Sequence, residues 1–382
     1  MMRSWAFFWI LLLAGLASSF CGNTALGQVL ETSYGPHAQQ RLDYYQAYTP
    51  NSPIVVVVHG GSFSRGDKNR NKWERISAYF QSRGFAVLNI NYRLDTLADY
   101  PGYPAQPMDL ACAIAWAKNN AVLFNGDSSR VAVFGHSAGA YITSAFIFEP
   151  PNTLLGGCPN AASLNVDAVL LSAGGYQFDP GIEGEISDLF VKAFKDMLGD
   201  SAAHWHNAQP VYHTDRSTSA SFLLLHGRQD SVIDHRQSTL MFNLLRENGH
   251  TVRMRKFPGI GHDLSNEPEE SPAFPEITDF LYSLWGMAAP KRVVPHFYAY
   301  PNPIPNQHIT LRSKTALSGM LSLQIVDPKG VVVCDLGTKF WEGPSSELSL
   351  WRLNLRDGLY FLRIHHQELG YTTAVLLNKV SD

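Results

Sequence analysis

From residue 52 to residue 288 the chain alternates between two hydrophobic rhythms. Short runs at 54–58, 86–90, 131–134, 166–171, 222–225 and 252–255 read as strands, most of them apolar at consecutive positions as expected of strands covered on both faces. Between them, 72–82, 109–119, 138–148, 235–248 and 274–285 carry apolar residues at helical spacing. Turn signals fall at the junctions, as at Arg83-Gly84 and Glu247-Asn248-Gly249. The pattern predicts an α/β fold with a mostly parallel central sheet and helices on both faces. Residues 177–219 are less regular and are expected to cross the carboxyl edge of the sheet and shape a cleft. Beyond Pro290 only strand signals remain, at 309–311, 321–326, 331–334, 348–350, 359–364 and 373–377, with a strong turn at Asp327-Pro328-Lys329-Gly330. These predict a small all-β, sandwich-like domain over 291–382, joined to a domain over 28–290 through the proline-rich stretch 290–305.

Residues 1–27 stand apart from both patterns. Arg3, the apolar run WAFFWILLLAGLA and the small-x-small sequence Ala25-Leu26-Gly27 have the layout of a signal peptide cleaved before Gln28. The expectation is therefore a secreted or cell-surface protein with no stable transmembrane segment after cleavage. An uncleaved anchor, or a lipoprotein using Cys21, are weaker alternatives. Loss of Cys21 would leave Cys112, Cys158 and Cys334, an odd number, so a fully paired framework is excluded. Cys112 and Cys158 could pair or remain as thiols. No cysteine has the spacing of a metal site, and no cofactor is called for. A formal net charge of −3 gives no reason to expect nucleic acid as a partner.

The sharpest local feature is Gly135-His136-Ser137-Ala138-Gly139, a G-x-S-x-G sequence between a predicted strand and a predicted helix. Such a turn is tight, needs glycines where backbones approach, and lifts the serine hydroxyl clear of the sheet. A hydroxyl nucleophile needs a base, and the base an orienting acid, which in this setting follow in the order acid then histidine. Asp230 follows the strand at 222–225, and His262 lies in the loop Pro258-Gly259-Ile260-Gly261-His262-Asp263 after the next strand. Asp234 could replace Asp230, whereas Asp263 is adjacent to His262 and badly placed for its far nitrogen. His226 and His136 read as loop-shaping residues. His59-Gly60-Gly61-Ser62-Phe63 directly follows the first parallel strand. Its glycines would let N–H groups face a developing oxyanion, with Gly61 and Ala138 as principal donors, Ser62 as a third and His59 as a brace.

These segments resemble the α/β-hydrolase superfamily, specifically its carboxylesterase branch with hormone-sensitive-lipase-like and feruloyl or acetyl-xylan esterases. The resemblance rests on VVVVHGGSFSRGDK, FAVLNINYRL, the block from DLACAIAW to GHSAGA, HGRQDSVID and FPGIGHDL. It implies cofactor-free hydrolysis of small acyl, feruloyl or acetyl esters, possibly on plant polysaccharide, with Ser137, Asp230 and His262 as the triad. Ser62, where one subgroup has a further glycine, and Asp234, where many relatives have proline, depart from the pattern. Alternatives are a prolyl-oligopeptidase-type peptidase, a formamidase or thioesterase, and a non-catalytic surface binding protein. The C-terminal part resembles the type A sorting domain of type IX-secreted proteins through Tyr300-Pro301-Asn302-Pro303, Ile325-Val326-Asp327 to Gly330, Leu355 to Tyr360, and Leu377-Asn378-Lys379. That resemblance implies the type IX secretion machinery as a partner through 291–382; a small carbohydrate-binding module is the alternative.

Overall fold

The computed structural model describes residues 28–379 apart from 48, 97–98, 156–162, 180–186, 199–201, 265–266, 289–296, 301, 303, 305–307, 314–317, 330, 343–346, 352, 354 and 367–370. The signal segment 1–27, Cys158 and most of the inter-domain stretch therefore lie outside the described residues.

The larger unit is built on eight strands. They are β1 (Gln28–Ser33), β2 (Arg41–Tyr45), β3 (Ser52–Val58), β4 (Ala86–Ile90), β5 (Gly126–His136), β6 (Ala168–Ser172), β7 (Ser221–Gly227) and β8 (Val252–Phe257). They form one sheet in the order β1-β2-β4-β3-β5-β6-β7-β8. The run from β4 to β8 is parallel, while β1 and β2 extend it as an antiparallel edge. The helices are α1 (Asn71–Ser82), α2 (Ala105–Asn119), α3 (Ala138–Phe148), α4 (Pro151–Leu155), α5 (Asp188–Leu198), α6 (Ala202–Asn207), α7 (Arg236–Glu247) and α8 (Ala273–Trp285).

Consecutive apolar residues in the strands are explained by two cores, one on each face. Ile54, Val56 and Val58 of β3, with Val131 and Val133 of β5, pack against α2, α3 and α7. Val55 and Val57, with Ala132 and Phe134, pack against Trp73, Ile76 and Phe80 of α1 and Phe274, Ile277 and Leu281 of α8. Each alternate side chain thus meets a helix layer, which is why no polar face interrupts the run. Helix α2 begins earlier than its apolar periodicity predicts, because Pro107 lies in the first turn, where its missing N–H has no intrahelical partner to lose.

The C-terminal residues form two antiparallel sheets around a separate core. Strands β9 (Phe297–Tyr300), β10 (His308–Ser313), β11 (Ser318–Val326), β12 (Val332–Glu342), β13 (Glu347–Trp351), β14 (Gly358–His366) and β15 (Tyr371–Lys379) order as β13-β10-β9 and β12-β11-β14-β15. Ile309, Leu311, Leu321, Leu323, Ile325, Trp341, Leu362, Ile364 and Leu377 fill the space between them. The sandwich-like expectation for this region is met.

Candidate active site

The turn from β5 into α3 carries the serine. Ser137 has φ 56° and ψ −121°, a combination strained for any residue with a side chain, and it is only 6% exposed. Its N–H is anchored on Ser172 O of β6 at 2.9 Å. The turn closes because side chains are absent beside it. A Cβ on Gly139 would stand 2.2 Å from Val58 O of the neighbouring strand, and one on Gly135 would meet Gly139 O at 2.3 Å. The Ser137 hydroxyl is 2.9 Å from His262 Nε2, across 125 positions of sequence.

His262 Nδ1 is in turn 2.8 Å from Asp230 Oδ2. Asp230 lies in the loop that leaves the carboxyl end of β7, and its side chain is fully buried. Its Oδ1 accepts the N–H groups of Val232 and Ile233, each at 2.9 Å. Its Oδ2 accepts a second imidazole donor, His226 Nε2, at 3.1 Å. Burial disfavours the Asp230 charge, but the hydrogen bonds from His226 and His262, the His262 charge and the Ile233 N–H outweigh it. The carboxyl is held well below the usual carboxylate range. It is therefore a carboxylate at any working pH, able to orient an imidazole but not to take its proton.

Sequence reasoning placed His226 as a loop-shaping residue, and that understates its contact. Its Nε2 faces two acceptors, Asp230 Oδ2 and Ile233 O at 2.9 Å, so Nε2 carries the hydrogen and Nδ1 accepts from Ser238 Oγ at 2.7 Å. Asp234 does not approach His262; its Oδ1 accepts from Arg236 N at 2.7 Å. Asp263, expected to be badly placed because it adjoins His262, pairs with Lys72 at 2.7 Å. His136 is buried beside Ser172 and Trp73, and burial, with the nearby charges of Lys72 and His262, keeps it neutral by pushing its pKa well below the ordinary value.

The loop after β3 faces the serine. Gly60 lies so close to the turn that a Cβ there would stand 2.9 Å from His136 O. Gly61 has φ +141°, and a Cβ would collide with Arg65 O at 1.7 Å. Ser62 and Phe63 follow at φ 51° and 64°, both left-handed. Such strain persists only where the surroundings fix it, and the Phe63 ring does so, buried among Tyr141, Phe190 and Phe194 at centroid distances of 5.0–5.7 Å. His59 stacks on Tyr92 at 4.3 Å, its Nδ1 donating to Gly60 O at 2.9 Å. Burial lowers its pKa to about 4, so it braces the loop as a neutral ring. The far end of the loop is tied down by Lys68, fully buried and paired with Asp43 at 2.8 Å and Glu31 at 2.5 Å. The start of the loop is thereby set against the serine turn, with a Cβ on Gly60 also falling 3.1 Å from Ser137 Cβ.

Sheet order, a strained serine between β5 and α3, and an Asp–His pair after β7 and β8 define an α/β-hydrolase. The chain belongs to the BD-FAE family, whose profile matches residues 42–245, more than half of its length. Among curated proteins it is similar to Esterase LipC of Mycobacterium tuberculosis, 27% identical over 260 residues, covering 65% of this chain and 63% of that one. The chain thus spans somewhat less than two thirds of that relative's length. Among solved structures it resembles Esterase B from Lactobacillus rhamnosis, with a TM-score of 0.57 at 22% identity over 68% of this chain and 85% of that one. It also resembles an acetyl ester-xyloside bifunctional hydrolase from Caldicellulosiruptor lactoaceticus, with a TM-score of 0.54 at 18% identity over 65% of this chain and 89% of that one. At these identities the structures establish a common fold.

Among the cysteines, Cys112 is disulfide-bonded, its partner lying outside the described residues, and Cys334 is free.

Proposed function

We propose that this protein is a serine carboxylesterase with Ser137 as nucleophile, His262 as general base and acid, and Asp230 as the orienting carboxylate. The observation that carries the reading is the continuous chain Asp230 Oδ2–His262–Ser137 Oγ, with links of 2.8 and 2.9 Å. In the first step His262 Nε2 takes the Ser137 proton as Oγ attacks the ester carbonyl, and Asp230 stabilises the imidazolium. The N–H groups of Gly61 and Ala138, with Ser62, receive the oxyanion. His262 then hands the proton to the leaving alcohol, and a water, deprotonated by the same imidazole, releases the acid and restores Ser137. The names of LipC and Esterase B support ester hydrolysis as the reaction.

The substrate class belongs to the same proposal. Acetyl, feruloyl or other small acyl esters, including those on plant polysaccharide, suit an exported enzyme of this kind, and the solved acetyl ester-xyloside hydrolase with this fold supports looking there first. Residues 1–27 would direct export, residues 28–290 would catalyse, and residues 291–382 would engage the type IX secretion machinery, leaving the enzyme secreted or at the cell surface.

The test is turnover of acetyl, butyryl, octanoyl and feruloyl esters with matched leaving groups, of acetylated xylan and of a proline-containing peptide amide, each with the parent protein and Ser137→Ala. One ester class turned over by the parent, with a rate loss of roughly a thousandfold or more in the variant, is the expected result. Undiminished turnover by Ser137→Ala would overturn the assignment, and cleavage of the amide alone would make the protein a peptidase.

A further inference from the structure

The loop that carries His262 is held differently on its two sides. Before the histidine it is tied to the β7 loop, with Gln229 N donating to Ile260 O at 2.9 Å and Gly259 N donating to Gln229 Oε1 at 2.6 Å. After it, Leu264 is buried in the core beneath α1 and α8. Between these anchors stands Asp263, whose Oδ1 accepts from Lys72 Nζ of α1 at 2.7 Å, 191 positions away in sequence. Two further pairs join α1 and its C-terminal end to the same stretch of chain, Arg75–Glu267 at 3.1 Å and Arg83–Glu269 at 3.0 Å. Of these, Arg75–Glu267 is exposed on both sides and contributes little, whereas Arg83 is as sheltered as Lys72.

Lys72–Asp263 is set apart by its place next to His262 and the imidazoles around it. The Lys72 side chain is only 18% exposed and its ammonium lies 5.0 Å from the centre of the Trp73 ring. Burial lowers its pKa, and Asp263 opposes that shift. The pair also sits among the imidazoles of the site. Asp263 Oδ1 is 3.8 Å from His136 Nε2, and the His136 ring is 5.2 Å from that of His262. A positive charge must appear on His262 during each half of the reaction. The Lys72 charge already acts on His136, the neighbour of His262, and an ammonium left unneutralised on this side of the site would oppose the charge on His262 as well.

We propose that Lys72 and Asp263 are positioning residues for His262. Their ion pair fixes the backbone on the C-terminal side of the catalytic imidazole, and Asp263 cancels the Lys72 charge that would otherwise disfavour the imidazolium. The proposal rests on the ester-hydrolysis reading of the site. It assigns the two residues unequal roles. Removing Lys72 loosens one anchor, whereas removing Asp263 both loosens it and leaves an unpaired cation beside the imidazoles.

The test is a double-mutant cycle in the full chain with Lys72→Met, Asp263→Asn and the pair together, reading kcat and KM at low and high salt. Melting curves establish that each variant is folded. Asp263→Asn is expected to lose roughly tenfold or more in kcat with KM nearly unchanged. Salt should recover part of that loss by screening the unpaired charge. The double variant should be faster than Asp263→Asn alone. Losses that simply multiply in the double variant, or an Asp263→Asn enzyme as fast as the parent, would overturn the proposal. Should the parent hydrolyse no ester, the function reading fails by itself. Backbone hydrogen exchange over 258–264 then decides the anchoring: faster exchange in Lys72→Met supports it, and unchanged exchange overturns it.

Discussion

At the residue scale, the site is governed by how many donors converge on one carboxylate. Asp230 accepts two backbone N–H groups on one oxygen and two imidazoles on the other. Each of these favours the ionised form, and together they fix the plane in which His262 is held. His226 therefore matters beyond the shape of its loop. Replacing it by Phe would keep ring volume but remove a donor from Asp230 Oδ2 and leave Ser238 Oγ without its acceptor. A hydrogen bond to a charged group contributes about 1.5–3 kcal/mol, so His226→Phe is expected to lower kcat by roughly tenfold or more. Steady-state kinetics of the folded variant check this, and an unchanged kcat would reduce His226 to a loop-shaping role. The triad candidates were legible in the chain because each follows a strand and their order is constrained. His226 and Lys72 were not, because their contacts are made only when β7, α1 and the His262 loop come together.

At the scale of elements, the junction between β5 and α3 is the most demanding. It places the serine by packing the start of the helix against the backbone of β3, with no room for a methyl group on Gly139. Gly139→Ala must push β3 and α3 apart or change the turn. A loss of about 3 kcal/mol in stability, read by denaturant unfolding, is expected, together with loss of ester turnover. The inner parallel strands could be read from the sequence because burial on both faces leaves an unmistakable apolar run, and the main helices because their apolar residues recur at helical spacing, whereas β8 at the edge alternates. Strands β1 and β2 could not. QVLETS and RLDYY form an edge of the sheet and lack such a run, and their place beside β4 depends on long-range pairing. Strand β9 was missed for a similar reason, being four residues long beside a proline-rich stretch. In the irregular stretch 177–219, α5 and α6 form without a neighbouring strand to mark their ends. Phe190 and Phe194 of α5 nevertheless anchor the loop after β3 through Phe63.

At the scale of the whole molecule, two cores flank the eight-stranded sheet and a third fills the C-terminal sandwich. Among the described residues, the third is composed only of residues from 299 onward, so its strands close on one another. A protein ending at residue 288 should therefore fold and retain kcat/KM within about twofold of the full chain on a small soluble ester. Comparing the two proteins side by side checks this, and an inactive or unfolded truncation would show that the C-terminal sheets support the site. The change of rhythm at residue 290 made this division visible in the sequence.

The role of Ser137 as the nucleophile of an ester hydrolase is open to covalent capture. The full protein would be treated with an alkyl phosphonate ester that mimics the tetrahedral intermediate, followed by intact-mass measurement and peptide mapping. One adduct per chain is expected on the peptide containing Ser137, none in Ser137→Ala, and much slower labelling in His262→Ala. An adduct elsewhere, or labelling that does not depend on Ser137 and His262, would contradict it.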